Sequence, residues 1–335
     1  MNLSLNELNQ LFEDFNNLNI LIIGDVMVDA YFWGKVDRIS PEAPVPIVSV
    51  NKKESRMGGA ANVALNIQSM GATPILCSVI GNDEEGDEFI QLLQENGQSD
   101  KGIMRSEERK TTKKTRIIGN NHQMLRVDAE DDHSLSKLEV NAFFKQIEKV
   151  IQEESIDAII FEDYDKGVIN SKLIDKVVEF AEKKNIPTAV DPKKRNFTDY
   201  KKVSLFKPNL IELKEGLKID FRVDIMDELE AAILKLESIL ENKITLITLS
   251  ELGVYVHDKT ENHHIPAHHR DITDVSGAGD TVISIAALCL AKEQSPKVIA
   301  ELSNLAGGLV CETVGVVPID KNKLKREAEK LIKGE

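Results

Sequence analysis

Residues 19–25 read NILIIGD, an unbroken apolar run that stops at a glycine and an aspartate. A strand with one wet face alternates polar and apolar residues, so a run without alternation needs cover on both faces, as central strands of parallel sheets have. Helical and strand patterns then alternate from residue 137 onward: helix 137–153, strand 158–162, helix 170–184, strands 187–191 and 204–207, helices 210–216 and 226–241, strand 244–249. This is an α/β pattern with a mainly parallel sheet. A capping box at Ser4 and Glu7 opens an amphipathic helix before the first strand. A hairpin of 253–257 and 262–266 and helices at 281–292, 296–313 and 320–333 close the chain. In such sheets ligands gather outside the carboxyl ends of strands, which places Asp25 and Asp29 beside a cleft.

Two stretches depart from this frame. Residues 26–50 read as short strands broken by Pro41, Pro44 and Pro46, and prolines confine strands to edges or bulges. Residues 110–130 read as a hairpin turning at Gly119, Asn120 and Asn121. Together they make a small sheet standing apart from the main one, a flap that could shut water out of a reaction. Tyr31, Phe32 and the single tryptophan, Trp33, mark either a local cluster or a subunit contact. A second helix is expected to start in RMGGAAN at residues 56–62, with Gly71 at its end.

Composition limits the partners. Against 42 basic residues stand 56 acidic ones, and the net charge of −14 argues against a nucleic acid or an anionic membrane surface. Residues 1–19 carry no basic residue and no signal-peptide pattern, and no apolar stretch reaches membrane-spanning length. Cys77, Cys289 and Cys311 lie in apolar segments without ligand spacing, as in a reduced cytoplasmic protein. The histidines at 263, 264, 268 and 269 are interrupted by Pro266 and lack a cysteine partner, which favours a solvated hairpin edge over a metal site.

Chemistry concentrates in DVSGAGDT at residues 274–281, which runs straight into an apolar helix. Gly277 and Gly279 allow a tight turn, so the backbone N–H groups of Gly277, Ala278 and Gly279 can converge on an anion at the helix N-terminus. Asp280, at the end of the turn, would stand beside that anion and accept a proton from an attacking hydroxyl. Phosphoryl transfer needs both parts. The plain alternative is an ordinary helix start with Asp280 as its cap, worth about 1 kcal/mol of stability and little rate. The third glycine of a dinucleotide fingerprint is absent, as are GxxxxGK[ST] and the protein-kinase HRD and DFG motifs. Gly58 and Gly59, before Asn62, mark either close packing or the approach of a polar ligand.

These residues resemble a known family. Gly24, Asp25 and Asp29, then GGAAN at 58–62, then Asn209 with Glu212, then Asp274 with GAGD at 277–280 follow the order and approximate spacing of the PfkB/ribokinase-like sugar kinases. The resemblance covers residues 20–318. It implies a three-layer αβα domain with a mainly parallel sheet and a small β-sheet lid, ATP as phosphoryl donor, and magnesium. Residues 1–335 would form one such kinase domain, with lid strands from about 26–50 and 110–130 and a homodimer paired through the lid. Within the family the chain is most similar to the heptose 7-phosphate kinases of ADP-heptose and lipopolysaccharide core biosynthesis, usually half of a bifunctional kinase/adenylyltransferase. GDVM at 24–27, RISPEAPVP at 38–46, LRVD at 125–128, DYDKG at 163–167 and DPK at 191–193 carry that similarity. No HxGH adenylyltransferase motif is present, so only the kinase step is expected. Val275 and Ser276 replace threonines of the family signature, Lys194 stands where a glycine often follows, and Val316 where a threonine does.

The resemblance assigns roles. Asp280 would be general base for the anomeric hydroxyl of D-glycero-D-manno-heptose 7-phosphate. Asp29 and Asn62, with the Gly58 and Gly59 backbone, would hold sugar hydroxyls, joined by Asp163. Arg38, Arg126, Lys166 and Lys193 would meet the sugar's own phosphate, which arginine suits by bidentate capture. Asn209 and Glu212, one helical turn apart, would hold phosphate and magnesium-bound water, a role compatible with a capping box. Ser250, Gly253 and Asn304 would line the nucleotide. A kinase for fructose phosphate or a pentose would keep Asp280 without needing residues 38–46, and a non-catalytic sugar-binding regulator would keep the fold alone.

Overall fold

The computed structural model describes every residue except 224, 225, 269 and 335. In chain order, α1 (Leu5–Asp14) leads to β1 (Asn19–Gly24), β2 (Val26–Ile39), β3 (Pro46–Gly59), α2 (Ala60–Ser69), β4 (Thr73–Gly81), α3 (Glu84–Glu95) and β5 (Ile103–Ser106). Next come β6 (Thr112–Gly119), β7 (His122–Ala129), α4 (Lys137–Glu153), β8 (Ala158–Glu162), α5 (Ser171–Lys184), β9 (Thr188–Asp191) and β10 (Leu205–Phe206). The remainder is α6 (Leu210–Leu217), α7 (Met226–Leu240), β11 (Ile244–Thr248), β12 (Val254–Asp258), β13 (Asn262–Ile265), α8 (Ala278–Ala291), α9 (Pro296–Val310) and α10 (Lys321–Lys333).

The main sheet runs β13-β12-β11-β10-β9-β8-β1-β4-β5, parallel except for the hairpin strands β12 and β13. The unalternating β1 is explained by its position. Ile20 and Ile22 enter one apolar core, with α1, α2, α3, α8, α9 and α10, while Leu21 and Ile23 enter the other, with α4, α5, α6 and α7. Successive side chains of a strand point to opposite faces, and here both faces are covered. The boundaries of α4 follow its chemistry: Ser136 accepts from the Glu139 N–H, and Glu139 accepts from the Ser136 N–H. Ser136→Ala is expected to lower stability by about 1 kcal/mol, read as a lower urea midpoint with an unchanged slope.

The second sheet has four strands in the order β3-β2-β6-β7. β2 pairs antiparallel with β3 and parallel with β6, and β7 folds back on β6 through the left-handed residues Asn120 and Asn121. Two expectations for this region are corrected. The segment after residue 25 holds two strands of 14 residues each rather than several short ones, because Pro41 and Pro44 fall in the connecting turn. Pro46 opens β3, which is an edge strand, as proline demands. The second helix begins at Ala60 and not at Arg56, since Arg56 through Gly59 pairs with Asp29 through Val26, and Gly59 has φ +61°. The short β5 was not expected from the sequence; its mixed residues IMRS give no period to read.

Candidate active site

The register lines up one row of residues at the carboxyl ends of four adjacent strands. Gly24 of β1 is level with Glu162 of β8, Glu162 with Asp191 of β9, and Lys207 follows directly on β10. Gly24 is needed here: a Cβ on it would lie 2.1 Å from the Glu162 carbonyl oxygen. All three charged side chains are buried. Lys207 Nζ stands 2.8 Å from Asp191 Oδ2. Burial alone would depress the lysine pKa, but Asp191 and Glu212 outweigh it and raise it. Glu162 is pushed well above the usual carboxylate range by burial and then by Asp191 and Asp280, and among the described residues its Oε2 has no partner.

Onto this row α8 directs its N-terminus. Gly277, at φ +79°, is the N-cap, and a Cβ on Gly279 would lie 3.6 Å from Asp191 Oδ2 and 3.8 Å from Lys207 Nζ. The amides of Gly279 and Asp280 have no intrahelical acceptor, whereas that of Ala278 turns toward the Val275 carbonyl at 3.3 Å. Asp280 is therefore not the cap of its helix. Its carboxylate turns inward, accepting from Asn62 Nδ2 at 2.6 Å and from the Tyr164 hydroxyl at 2.8 Å. Burial raises its pKa, with Asp191 adding to the rise, against the lowering pull of these two hydrogen bonds. Asn66 ties the same helices together, bonding to the Asn62 carbonyl and the Thr281 hydroxyl. Glu162, Asp191 and Asp280 each bring an oxygen within 4.8 Å of the others.

Tyr164 is placed by Asp25. The Asp25 carboxylate accepts backbone N–H bonds from Tyr164 at 2.9 Å, Lys166 at 3.1 Å and Val168 at 3.0 Å, which folds residues 164–168 over the end of β1. Burial, then repulsion from Asp163, lifts the Asp25 pKa to about 6 against those bonds.

The other residues singled out in the sequence fall into three groups. Lys193 and Glu212 form an ion pair beside Asp191, with the Lys193 ammonium 5.7 Å from the Tyr164 ring centre. Asn209 and Glu212 make a complete capping box on α6, so Glu212 also accepts from the Asn209 N–H at 2.9 Å. Ser250 and Gly253 shape the turn between β11 and β12, and Asn304 donates to the Pro266 carbonyl at 2.8 Å, fastening α9 to the segment after β13. On the small sheet, Asp29 pairs with Arg116 at 2.5 Å, and a Cβ on Gly58 would meet its carboxylate at 2.3 Å. Lys166 pairs with Glu130 at 2.8 Å and Arg126 with Asp128 at 2.9 Å. Arg38 is exposed at the far end of β2. Asp163 is completely buried, held by Tyr200 at 2.7 Å and Asn196 at 2.9 Å, so its carboxylate belongs to the core and not to the cleft. Of the four histidines, His263 and His264 lie on β13, and His269 lies outside the described residues.

Comparison with known proteins gives the family. Residues 17–322 match the model of the pfkB family carbohydrate kinases. The chain belongs to that family. Among curated proteins, pfkB relatives named "Bifunctional protein HldE" are 37% identical over 306 residues in Sulfurimonas denitrificans, covering 91% of this chain and 63% of that protein. In Helicobacter pylori strain J99 the relative of that name is 38% identical over 296 residues, covering 88% and 63%. The chain thus spans about 63% of the length of these relatives. Among solved structures, phosphofructokinase-2 from Escherichia coli in complex with potassium superposes with a TM-score of 0.77 at 15% identity, covering 94% of this chain and 99% of that one. Arabidopsis thaliana ribokinase complexed with ribose and ATP gives 0.69 at 14% identity, covering 92% and 99%. Both share the ribokinase-like α/β fold. As a pfkB kinase the chain is an ATP-using phosphotransferase with a carbohydrate alcohol as acceptor.

Glu162, Tyr164, Asp191 and Lys207 were not among the candidates read from the sequence. A signal was present for three of them: a charged residue ending or following an apolar strand whose lack of alternation calls for cover on both faces. Tyr164 stood inside a quoted motif without a role.

Proposed function

We propose that the chain transfers the γ-phosphoryl group of ATP to the anomeric hydroxyl of D-glycero-D-manno-heptose 7-phosphate, giving the 1,7-bisphosphate on the way to ADP-heptose and the lipopolysaccharide core. The observation that carries a kinase reading at this site is Asp280, held by Asn62 and Tyr164 at the N-terminus of α8. The relatives named HldE and the segment at 38–46 support the heptose. Asp280 takes the proton of the attacking hydroxyl, the hydroxyl oxygen bonds to the γ-phosphorus, and the bond to the bridging oxygen breaks to release ADP. The free amides of Gly279 and Asp280 face the charge on the moving group.

The acid row suits a divalent cation. Glu162 Oε2 is buried beside Asp191 without a partner among the described residues, so these two residues would hold magnesium, with Glu212 behind Lys193. Such an ion supplies charge neutralisation for the phosphates. Asn209, Ser250, Gly253 and Asn304 border the ends of β10 to β13 and would line the nucleotide. The small sheet acts as a lid that excludes water, its exposed Ile39, Leu125 and Val127, with Val45 of the β2–β3 turn, offering a surface for a second copy in a cytoplasmic homodimer.

The test is ADP release with the heptose 7-phosphate, fructose 6-phosphate, ribose and fructose as acceptors. Turnover is expected with the heptose phosphate at a kcat/KM at least tenfold above the others. Preference for another sugar would discard the heptose and keep the kinase; no turnover with any would bring forward a sugar-binding regulator.

A further inference from the structure

The sugar's own phosphate was expected at Arg38, Arg126, Lys166 and Lys193, yet the structure brings a different pair of cations to the reacting side of the small sheet. Asp29 and Tyr31 of β2 lie two residues apart and so share a face. Register sets Arg56 of β3 opposite Asp29, and Arg116 of β6 opposite Tyr31. The two guanidinium carbons stand 5.2 Å and 5.3 Å from the centre of the Tyr31 ring, so one aromatic ring orients both. This face meets the body of the protein. A Cβ on Gly315 would lie 3.2 Å from Arg56 Nη1, and Arg116 helps hold down the pKa of Asp274, though less than the hydrogen bonds from Ser276 and Gly315 that overcome its burial. Asp274 opens the turn that leads to Asp280.

Each arginine spends only part of its donor fork. Arg116 gives Nη1 to Asp29, and Arg56 gives Nε to Glu54, at 2.5 Å in both cases. Among the described residues the remaining guanidinium N–H groups make no other hydrogen bond. Of the previously expected cations, Lys166 and Lys193 are neutralised by Glu130 and Glu212, and Arg38 is remote at the tip of β2, while Arg126, opposite Arg116 on β7, gives its Nε to Asp128 and is half exposed at the sheet's edge.

We propose that Arg56 and Arg116, braced by Tyr31, form the subsite for an anionic group carried by the sugar at the end away from the reacting hydroxyl. A phosphate monoester fits the chemistry: planar forks capture two of its oxygens at once, and Asp29, paired with Arg116 and opposite Arg56, takes sugar hydroxyls. The subsite sets specificity for a phosphorylated acceptor. It rests on the kinase reading given above.

The experiment compares D-glycero-D-manno-heptose 7-phosphate with unphosphorylated D-glycero-D-manno-heptose in wild type, Arg56→Gln and Arg116→Lys. Arg116→Lys keeps a charge for Asp29 and so protects the fold if loss of Arg116 is disruptive. The ratio of kcat/KM for the two acceptors cancels effects common to both. It is expected to fall roughly 10- to 100-fold in Arg56→Gln, through a higher KM for the phosphorylated sugar, and by a smaller factor in Arg116→Lys. An unchanged ratio in both variants overturns the subsite while leaving the kinase intact. Failure of the wild type to use either acceptor overturns instead the heptose reading on which the subsite rests.

Discussion

Asp280→Asn is expected to lower kcat roughly 10²- to 10⁴-fold, the worth of a positioned base, while the variant melts no lower than the wild type. The two readouts separate because the carboxylate is costly where it stands. Burial and Asp191 both raise its pKa, so its charge is held against desolvation and repulsion, and an amide of the same shape relieves both. The hydrogen-bond pattern can also be restored. The Tyr164 hydroxyl can donate to the new amide oxygen, and Asn62 has an oxygen, Oδ1, that lacks a partner among the described residues. Turning the Asn62 amide over presents that oxygen to the new NH2 group. What cannot be restored is a proton acceptor. ADP release under saturating acceptor and a thermal melt decide the matter together. A purely structural Asp280 would show the reverse: a lower melting temperature and nearly unchanged turnover.

The sequence resolved the frame better than the site, for a physical reason. A two-sided apolar run such as β1 can sit only inside a covered sheet, and capping residues such as Ser136 and Glu139 mark a helix start locally. These signals need no knowledge of distant partners. Choosing among side chains does. At the end of β8, Glu162 and Asp163 are neighbours, and consecutive residues point to opposite sides. The reading from sequence chose Asp163; the fold sends it to Tyr200 and Asn196 and sends Glu162 toward Asp280. The same parity problem governs the small sheet, where register decides that Arg56 and Arg116 flank Tyr31 while Arg38 ends up at a distant tip. The Gly277–Asp280 turn was legible because its conformational demand and its chemistry lie in one short segment. Only the partner helix and the Asp25-bound loop reveal that Asp280 is clamped on both oxygens.

Asp25→Ala is expected to lower stability by roughly 2–5 kcal/mol, because three buried backbone N–H groups lose their shared acceptor at once. The loss should shrink as the pH rises, and the sign follows from the raised pKa. Unfolded, this aspartate titrates near 3.8; folded, burial and Asp163 move it to about 6. Between those values the native state holds a proton that the unfolded state has released, so the wild type loses stability as pH climbs through that window. A gap of that size corresponds to about 3 kcal/mol at most. The variant lacks this dependence. Urea unfolding of both proteins at pH 5 and pH 7.5 should therefore show the larger difference at pH 5. A difference that widens at pH 7.5 would mean that the three N–H bonds outweigh burial and hold the Asp25 pKa below its ordinary value. Because those bonds also place Tyr164 against Asp280, turnover should fall along with stability in Asp25→Ala, whereas Ser136→Ala, which removes a cap of α4 bonded only to Glu139, should lose stability alone.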